Sequence, residues 1–197
     1  EAAQAKLLFE AEVKPVGAAS SAYTSVPLDL EPKPLIVAEE MNTTTRVDHF
    51  RKLVQGQKYD DILALAKKLA NEGSHMLDLC CAIVGEDEKG YISSILEKVA
   101  TRVPAPILVD STEADVIEEA LKRIPGKAII NSINLEDGEE RFQKVVPLAR
   151  TFGAALVVGC IDEDKAQAQA ITRERKLAIA ERSHRILTEK YGVAPED

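Results

Sequence analysis

Five short apolar runs, at 35–38, 76–81, 106–109, 128–133 and 154–161, are separated by stretches with helical periodicity, and this alternation constrains the fold more than any other feature. Each run is apolar at both odd and even positions, as in strands of a parallel sheet covered on both faces. Between them, Ile92, Ile95, Leu96, Val99 and Ala100 fall at i, i+3, i+4, i+7 and i+8, which makes one apolar stripe on a helix. Val116, Ile117, Ala120, Leu121 and Ile124 make a second, with Ser111 or Thr112 as the expected N-cap. Gly73, Gly126 and Gly153 stand where helices are expected to stop. The order is strand then helix five times over. Right-handed crossovers then give a parallel sheet with helices outside it.

An open doubly wound sheet and part of a (β/α)₈ barrel both satisfy that order. The strand ends favour the barrel. Glu39 and Asn42 follow the first run, Asp78 lies within the second, and Asp110-Ser111 follows the third. Asn131-Ser132 closes the fourth run and Asp162-Glu163 follows the fifth. A barrel gathers such residues at one mouth, whereas an open sheet can scatter them. No Gly-x-Gly-x-x-Gly or Gly-Lys-Ser/Thr loop follows the first strand, which weakens a nucleotide-binding reading.

Composition excludes several function classes. With 25 basic and 33 acidic side chains the net charge is −8, which opposes nonspecific nucleic-acid binding. Four Tyr, four Phe and no Trp leave little for a base-stacking platform. The longest apolar stretch, 153–161, is nine residues, against about twenty for a membrane helix. No charged-then-apolar leader opens the chain. Three cysteines, two of them adjacent at Cys80 and Cys81, do not make a disulfide framework, so a cytoplasmic protein is expected. Residues 1–33 differ from the rest. Glu1 to Val13 suits a short helix, and the Pro-, Gly- and Ser-bearing stretch after it has linker composition, so a domain is expected over 34–197.

Asp110 and Asn131 form the sharpest candidate pair. A carboxylate accepts two parallel N–H bonds and an amide both donates and accepts, a combination suited to the amino–imino edge of a pterin or guanine. The structural alternative is that both cap helices. Asp78 shares a strand face with Cys80, and a carboxylate inside a strand needs a partner or an open mouth. Cys81 points the other way, so the cysteines are expected to act as small hydrophobes, not zinc ligands. His49, His75 and His184 make no metal pair and are expected in packing or surface roles. The acidic runs 136–140 and 162–164 are expected at helix N-termini. No metal site is expected, and no catalytic acid, base or nucleophile stands out.

In order, Leu77-Asp78-Leu79-Cys80, Ile107-Leu108-Val109-Asp110-Ser111-Thr112 and Ala128-Ile129-Ile130-Asn131-Ser132-Ile133-Asn134-Leu135-Glu136-Asp137-Gly138 resemble the pterin-binding domains of cobalamin-dependent methionine synthases. Thr172-Arg173-Glu174-Arg175-Lys176 and Ile186-Leu187-Thr188-Glu189 extend the resemblance, which covers roughly residues 20–197. Single motifs are shared with dihydropteroate synthases and corrinoid methyltransferases; the ordered set is more specific. The Ser21-to-Pro27 segment resembles the family's connection from a preceding homocysteine-binding domain.

The resemblance implies the first five βα units of a TIM barrel that binds 5-methyltetrahydrofolate. Asp110 and Asn131 would hold the pterin edge, with Asp78, Asn42 and Glu39 nearby. It implies methyl transfer to cob(I)alamin presented by another domain of the same polypeptide, with zinc only on the homocysteine domain. Two departures stand out. Ala38-Glu39-Glu40-Met41-Asn42 replaces the family's Gly-Glu-Arg-Thr-Asn, so Glu40 reverses a charge, and the last residues fall where the family's sixth strand begins. The rival functions are another corrinoid methyltransferase, a dihydropteroate synthase, or a noncatalytic βα scaffold that lost the site.

Overall fold

A computed structural model describes residues 17–167 and 169–197. The helix expected over residues 1–13 lies outside them. The chain runs β1 (Ala18–Ser20), β2 (Ser25–Pro27), β3 (Val37–Ala38), α1 (His49–Gln55), α2 (Tyr59–Asn71), β4 (Met76–Leu79), α3 (Glu88–Val99), β5 (Ile107–Asp110) and α4 (Ala114–Leu121). It continues through β6 (Ile129–Ile133), α5 (Glu140–Phe152), β7 (Ala155–Val158) and α6 (Arg173–Arg185), which runs on as a π-turn over Ile186–Lys190. Strands β3 to β7 form one sheet in sequential order, and every neighbouring pair is parallel. Sequential order with helices between strands is the arrangement of a barrel wall, of which this is five-eighths.

Alternate side chains divide the core into two layers. Leu77, Leu79, Ile107, Val109 and Ile130 face outward and pack under the helices with Ile92, Ile95, Leu96, Ile117, Phe142 and Val146. Met76, Leu108, Ile129 and Ala155 face the other way and cluster with Ala19 of β1. The period-2 alternation of a strand is therefore apolar on both faces, which is why these runs read as continuous hydrophobic stretches. Each fully buried aliphatic side chain contributes roughly 1.5–3 kcal/mol, so the outer layer is the main source of cohesion.

Within the stretch of linker composition, β1 and β2 pair as an antiparallel hairpin that covers the amino-terminal end of the sheet. Ser20 donates its N–H to Lys127 O at 2.9 Å and accepts from Lys127 N–H through its hydroxyl at 2.8 Å. The Ser21 hydroxyl donates to Pro104 O at 2.8 Å. Gly126 permits this approach, because a Cβ there would lie 2.1 Å from Ser20 O. Gly126 is thus a close-packing site and not the helix stop expected from sequence; α4 already ends at Leu121. Gly153 does close α5, in the left-handed conformation with φ of 69°.

Two other local expectations change. Glu113, not Ser111 or Thr112, is the N-cap of α4, and Ser111 Oγ instead accepts from Glu113 N–H at 3.1 Å in a tight turn. The acidic run 162–164 does not open a helix, since α6 begins at Arg173. It is neutralised from α6: Arg175 pairs with Asp162 and Asp164, and Arg182 grips Glu163 through two bonds of 2.8 and 2.7 Å. That bidentate grip holds the Glu163 carboxyl down at about 2.

Candidate functional site

Parallel strands put every carboxy-terminal end on one side of the sheet. In β4 to β6, Asp78, Leu108 and Ile129 stand abreast, and Asp110 and Asn131 stand abreast one pleat further along. All five share the inner face. The row nearer the base is aliphatic in β5 and β6 and carries Asp78 in β4, and the row at the mouth is polar.

Asn42 ties the row together. Beyond β3 the chain continues alongside β4, with Cys80 N–H donating to Met41 O and Thr43 N–H donating to Cys80 O, both at 3.1 Å. This places Asn42 opposite Cys80 with 6% of its surface exposed. The Thr44 N–H and hydroxyl both donate to Asn42 Oδ1, at 2.8 and 2.6 Å. With its oxygen so occupied, Asn42 turns its Nδ2 toward two carboxylates, donating to Asp78 Oδ2 at 2.8 Å and Asp110 Oδ2 at 3.0 Å.

Asp78 is the strained member of this group. It is 4% exposed, and its Oδ1 is buried with no hydrogen-bond partner among the described residues. Burial raises its carboxyl to about 6; the Asn42 bond opposes that shift, and the charges of Asp110 and Glu39 add to it. Asp110 is raised too, chiefly by burial, again against the Asn42 bond. Two carboxyls that share one amide cannot both ionise cheaply, so near neutrality the cluster has one group poised to take up a proton. An unpartnered, buried acceptor is a demand for a donor.

The cleft runs from Asp110 and Asn131 between the amino-terminal ends of α4 and α5 and measures about 550 Å³. Ser111, Ser132, Asn134 and Arg141 also line it. Its volume suits a small heterocyclic ligand. Neither Asp110 nor Asn131 is a helix cap, which removes the structural alternative for that pair. Among the described residues no group of three or more His, Cys, Asp and Glu is arranged to hold a metal ion. No helix among them is long and apolar enough to cross a membrane.

Of the five sequence candidates, hydrogen bonds join Asn42, Asp78 and Asp110, and register places Asn131 beside Asp110. Glu39 stands apart. It is exposed and lines a separate groove on the outer side of β3 with Glu40, His49, Asp61 and Lys68. Glu40, the charge reversal, shares that groove and does not line the cleft; Met41 is fully buried in the outer core. The cysteines are free, and Cys81 is packed in the core as expected. His75 accepts from Ile36 N–H at 2.9 Å, a packing role.

Sequence reading missed Thr44, which orients Asn42, and Arg141, which lines the cleft. A threonine two residues after an asparagine is a weak signal for that local turn. Nothing local marks Arg141, because its partners lie 9 to 30 residues away.

Comparison with known proteins agrees with this geometry. A family model described as pterin binding enzyme matches residues 39–197. A methionine synthase of Mycobacterium tuberculosis is 36% identical over 177 residues, and one of Mycobacterium leprae is 37% identical over 178. Each alignment covers 88% of this chain and 14% of the relative, so the chain spans a small part of their length. A 7,8-dihydropteroate synthase from Vibrio fischeri shares the fold with a TM-score of 0.58 at 19% identity, covering 91% of this chain and 64% of that one. The fold is that of a partial TIM barrel, its polar row lies at the carboxy-terminal mouth, and the chain belongs to the pterin-binding enzyme family.

Proposed function

We propose that this chain binds the pterin ring of 5-methyltetrahydrofolate and readies its N5-methyl group for transfer to cob(I)alamin, in the synthesis of methionine. The carrying observation is Asp110, which lines the cleft and is tied through Asn42 to Asp78, whose Oδ1 is buried with no partner among the described residues. A pterin presents a 2-amino group and a ring N–H side by side. Asp110, with Oδ2 engaged by Asn42, retains acceptor capacity for that edge, and the Asn131 amide serves a neighbouring donor–acceptor position. The identity to two methionine synthases supports methyl transfer over dihydropteroate synthesis, for which the likeness is one of fold.

The chemistry asks little of a nucleophile on the protein and much of electrostatics. The N5–CH₃ bond breaks with its electron pair left on nitrogen, so a proton or strong donor at N5 is what makes tetrahydrofolate a competent leaving group. Cob(I)alamin, carried by another domain, supplies the electron pair that forms the new bond to the methyl group. Asp110 and Asn131 orient the ring. Asp78, held near 6, keeps a proton within the site at a pH where an ordinary aspartate has lost it. Residues 17–33 serve as part of the connection from a preceding domain, docked on the base through the β1–β2 hairpin. The protein works in the cytoplasm.

Titration with methyltetrahydrofolate tests this reading, using the complete polypeptide that carries the chain. Asp110→Ala is expected to lose binding while its thermal midpoint stays nearly unchanged. Truncating a charge-assisted bond and leaving its partner unpaired costs roughly 2–5 kcal/mol. Equal affinity in wild type and variant removes Asp110 from the site and the proposal with it.

A further inference from the structure

Asp110 and Asn131 sit at strand ends that the sheet alone does not lock. β6 breaks register with β7 between Asn131 and Ile133, so the ladder is irregular where Asn131 must be held. Arg141 reaches back from α5 across this point. Its Nη2 donates to Ser111 O at 2.7 Å, its Nη1 donates to Thr112 O, and its Nε donates to Ser132 O at 3.3 Å. Ser111 and Thr112 directly follow Asp110, and Ser132 directly follows Asn131. One rigid guanidinium thus spans the segment after β5 and the end of β6.

We infer that Arg141 is a positioning residue that sets the spacing between Asp110 and Asn131, a role that rests on the pterin-binding reading above. Two features separate it from an ordinary surface arginine. It lies in the first turn of α5, where a cation opposes the helix dipole, so helix stability gives no reason for it. Glu113, Glu136 and Glu140 line the same cleft, yet the bonds of Arg141 run to backbone carbonyls. A half-buried cation bonded to carbonyls costs desolvation, and burial accordingly lowers the pKa of Arg141. What that cost secures is a fixed distance between two backbone segments. Arg51 makes a parallel arrangement on the other side of the mouth, donating to Thr43 O through Nε at 3.0 Å and Nη2 at 2.6 Å, one residue after Asn42.

The test measures dissociation constants of methyltetrahydrofolate and of 6-methyltetrahydropterin, a ring without the benzoylglutamate tail. Wild type, Arg141→Met, Arg141→Lys and Asp110→Ala are compared in the complete polypeptide. Both ligands are expected to weaken by the same factor in Arg141→Met, about ten-fold or more, since misplacing a positioned group by an ångström is that costly. Arg141→Lys is expected to recover only part, because an ammonium cannot reproduce a planar fork; it also stands in if the Met variant fails to fold. Amide exchange is expected to quicken together in residues 111–113 and 132–134. Unchanged affinity in both variants while Asp110→Ala abolishes binding overturns the inference. So does a loss confined to the tailed ligand, which makes Arg141 a tail contact. If wild type binds neither ligand the functional reading fails instead, and exchange alone decides whether Arg141 spans the two strand ends.

Discussion

The two ends of the sheet are built on opposite principles. At the base, the β1–β2 hairpin closes with Ala19 over Met76, Leu108, Ile129 and Ala155, with reciprocal bonds between Ser20 and Lys127. At the mouth, the same strand faces carry Asp78, Asp110 and Asn131, with one amide shared between two carboxyls and a buried oxygen left without a donor. The base spends its burial on cohesion. The mouth retains electrostatic strain that a ligand can relieve. Parallel strands make this division possible, since each strand delivers one end to each task.

If the division is real, damage at the base should change stability without touching affinity. Gly126→Ala drives a Cβ into Ser20 O and forces the hairpin off the sheet. We expect a loss of about 3 kcal/mol in denaturant unfolding, the upper part of the overpacking range. Below the transition, methyltetrahydrofolate affinity should stay within two-fold or so of wild type. A large affinity loss in the folded variant shows that the base and the mouth are coupled.

The reverse experiment removes strain at the mouth. Asp78→Asn keeps an acceptor for Asn42 and deletes the charge. The folded Asp78 carboxyl, at about 6, lies above its ordinary 3.8. Its neutral form therefore supports the fold fully below about pH 4, and that support is lost as pH rises through about 6. The variant should match wild type below about pH 4 and gain up to about 2 kcal/mol by pH 7 to 8. Ligand affinity should fall at the same time. A variant less stable than wild type at pH 8 shows that Asp78 is satisfied in the native state.

The smallest effect tests one base contact. Ser20→Ala removes the acceptor for Lys127 N–H and should cost about 1 kcal/mol, with no change in affinity. No stability change there means that water replaces the hydroxyl and that the hairpin is held by its backbone bonds.

Much of this division was legible in the chain before folding. The five apolar runs became β3 to β7 because continuous burial on both faces is a strong local demand. Asp78, Asp110 and Asn131 were conspicuous because polar residues in such runs are costly away from an opening. Local signals failed where partners are distant. Ser111 was read as a cap, but its hydroxyl serves a turn. Gly126 was read as a helix stop, but it makes room for a hairpin more than 100 residues earlier.

The sequence alone determined the strand–helix alternation from β3 to β7, the parallel sense of that sheet and the residue types at its carboxy-terminal edge, since periodicity and strand-to-helix connectivity are local properties. Only the tertiary structure decided which of those residues meet. Register placed Asn131 beside Asp110, and the turn at Thr44 aimed Asn42 at two carboxyls. Chain continuity left Glu39 and Glu40 lining an outer groove, and Arg141 came to bridge the ends of two strands. Apart from the local turn at Thr44, the hydrogen-bonded relations span 9 to 68 residues of chain and are set by packing and hydrogen-bond geometry.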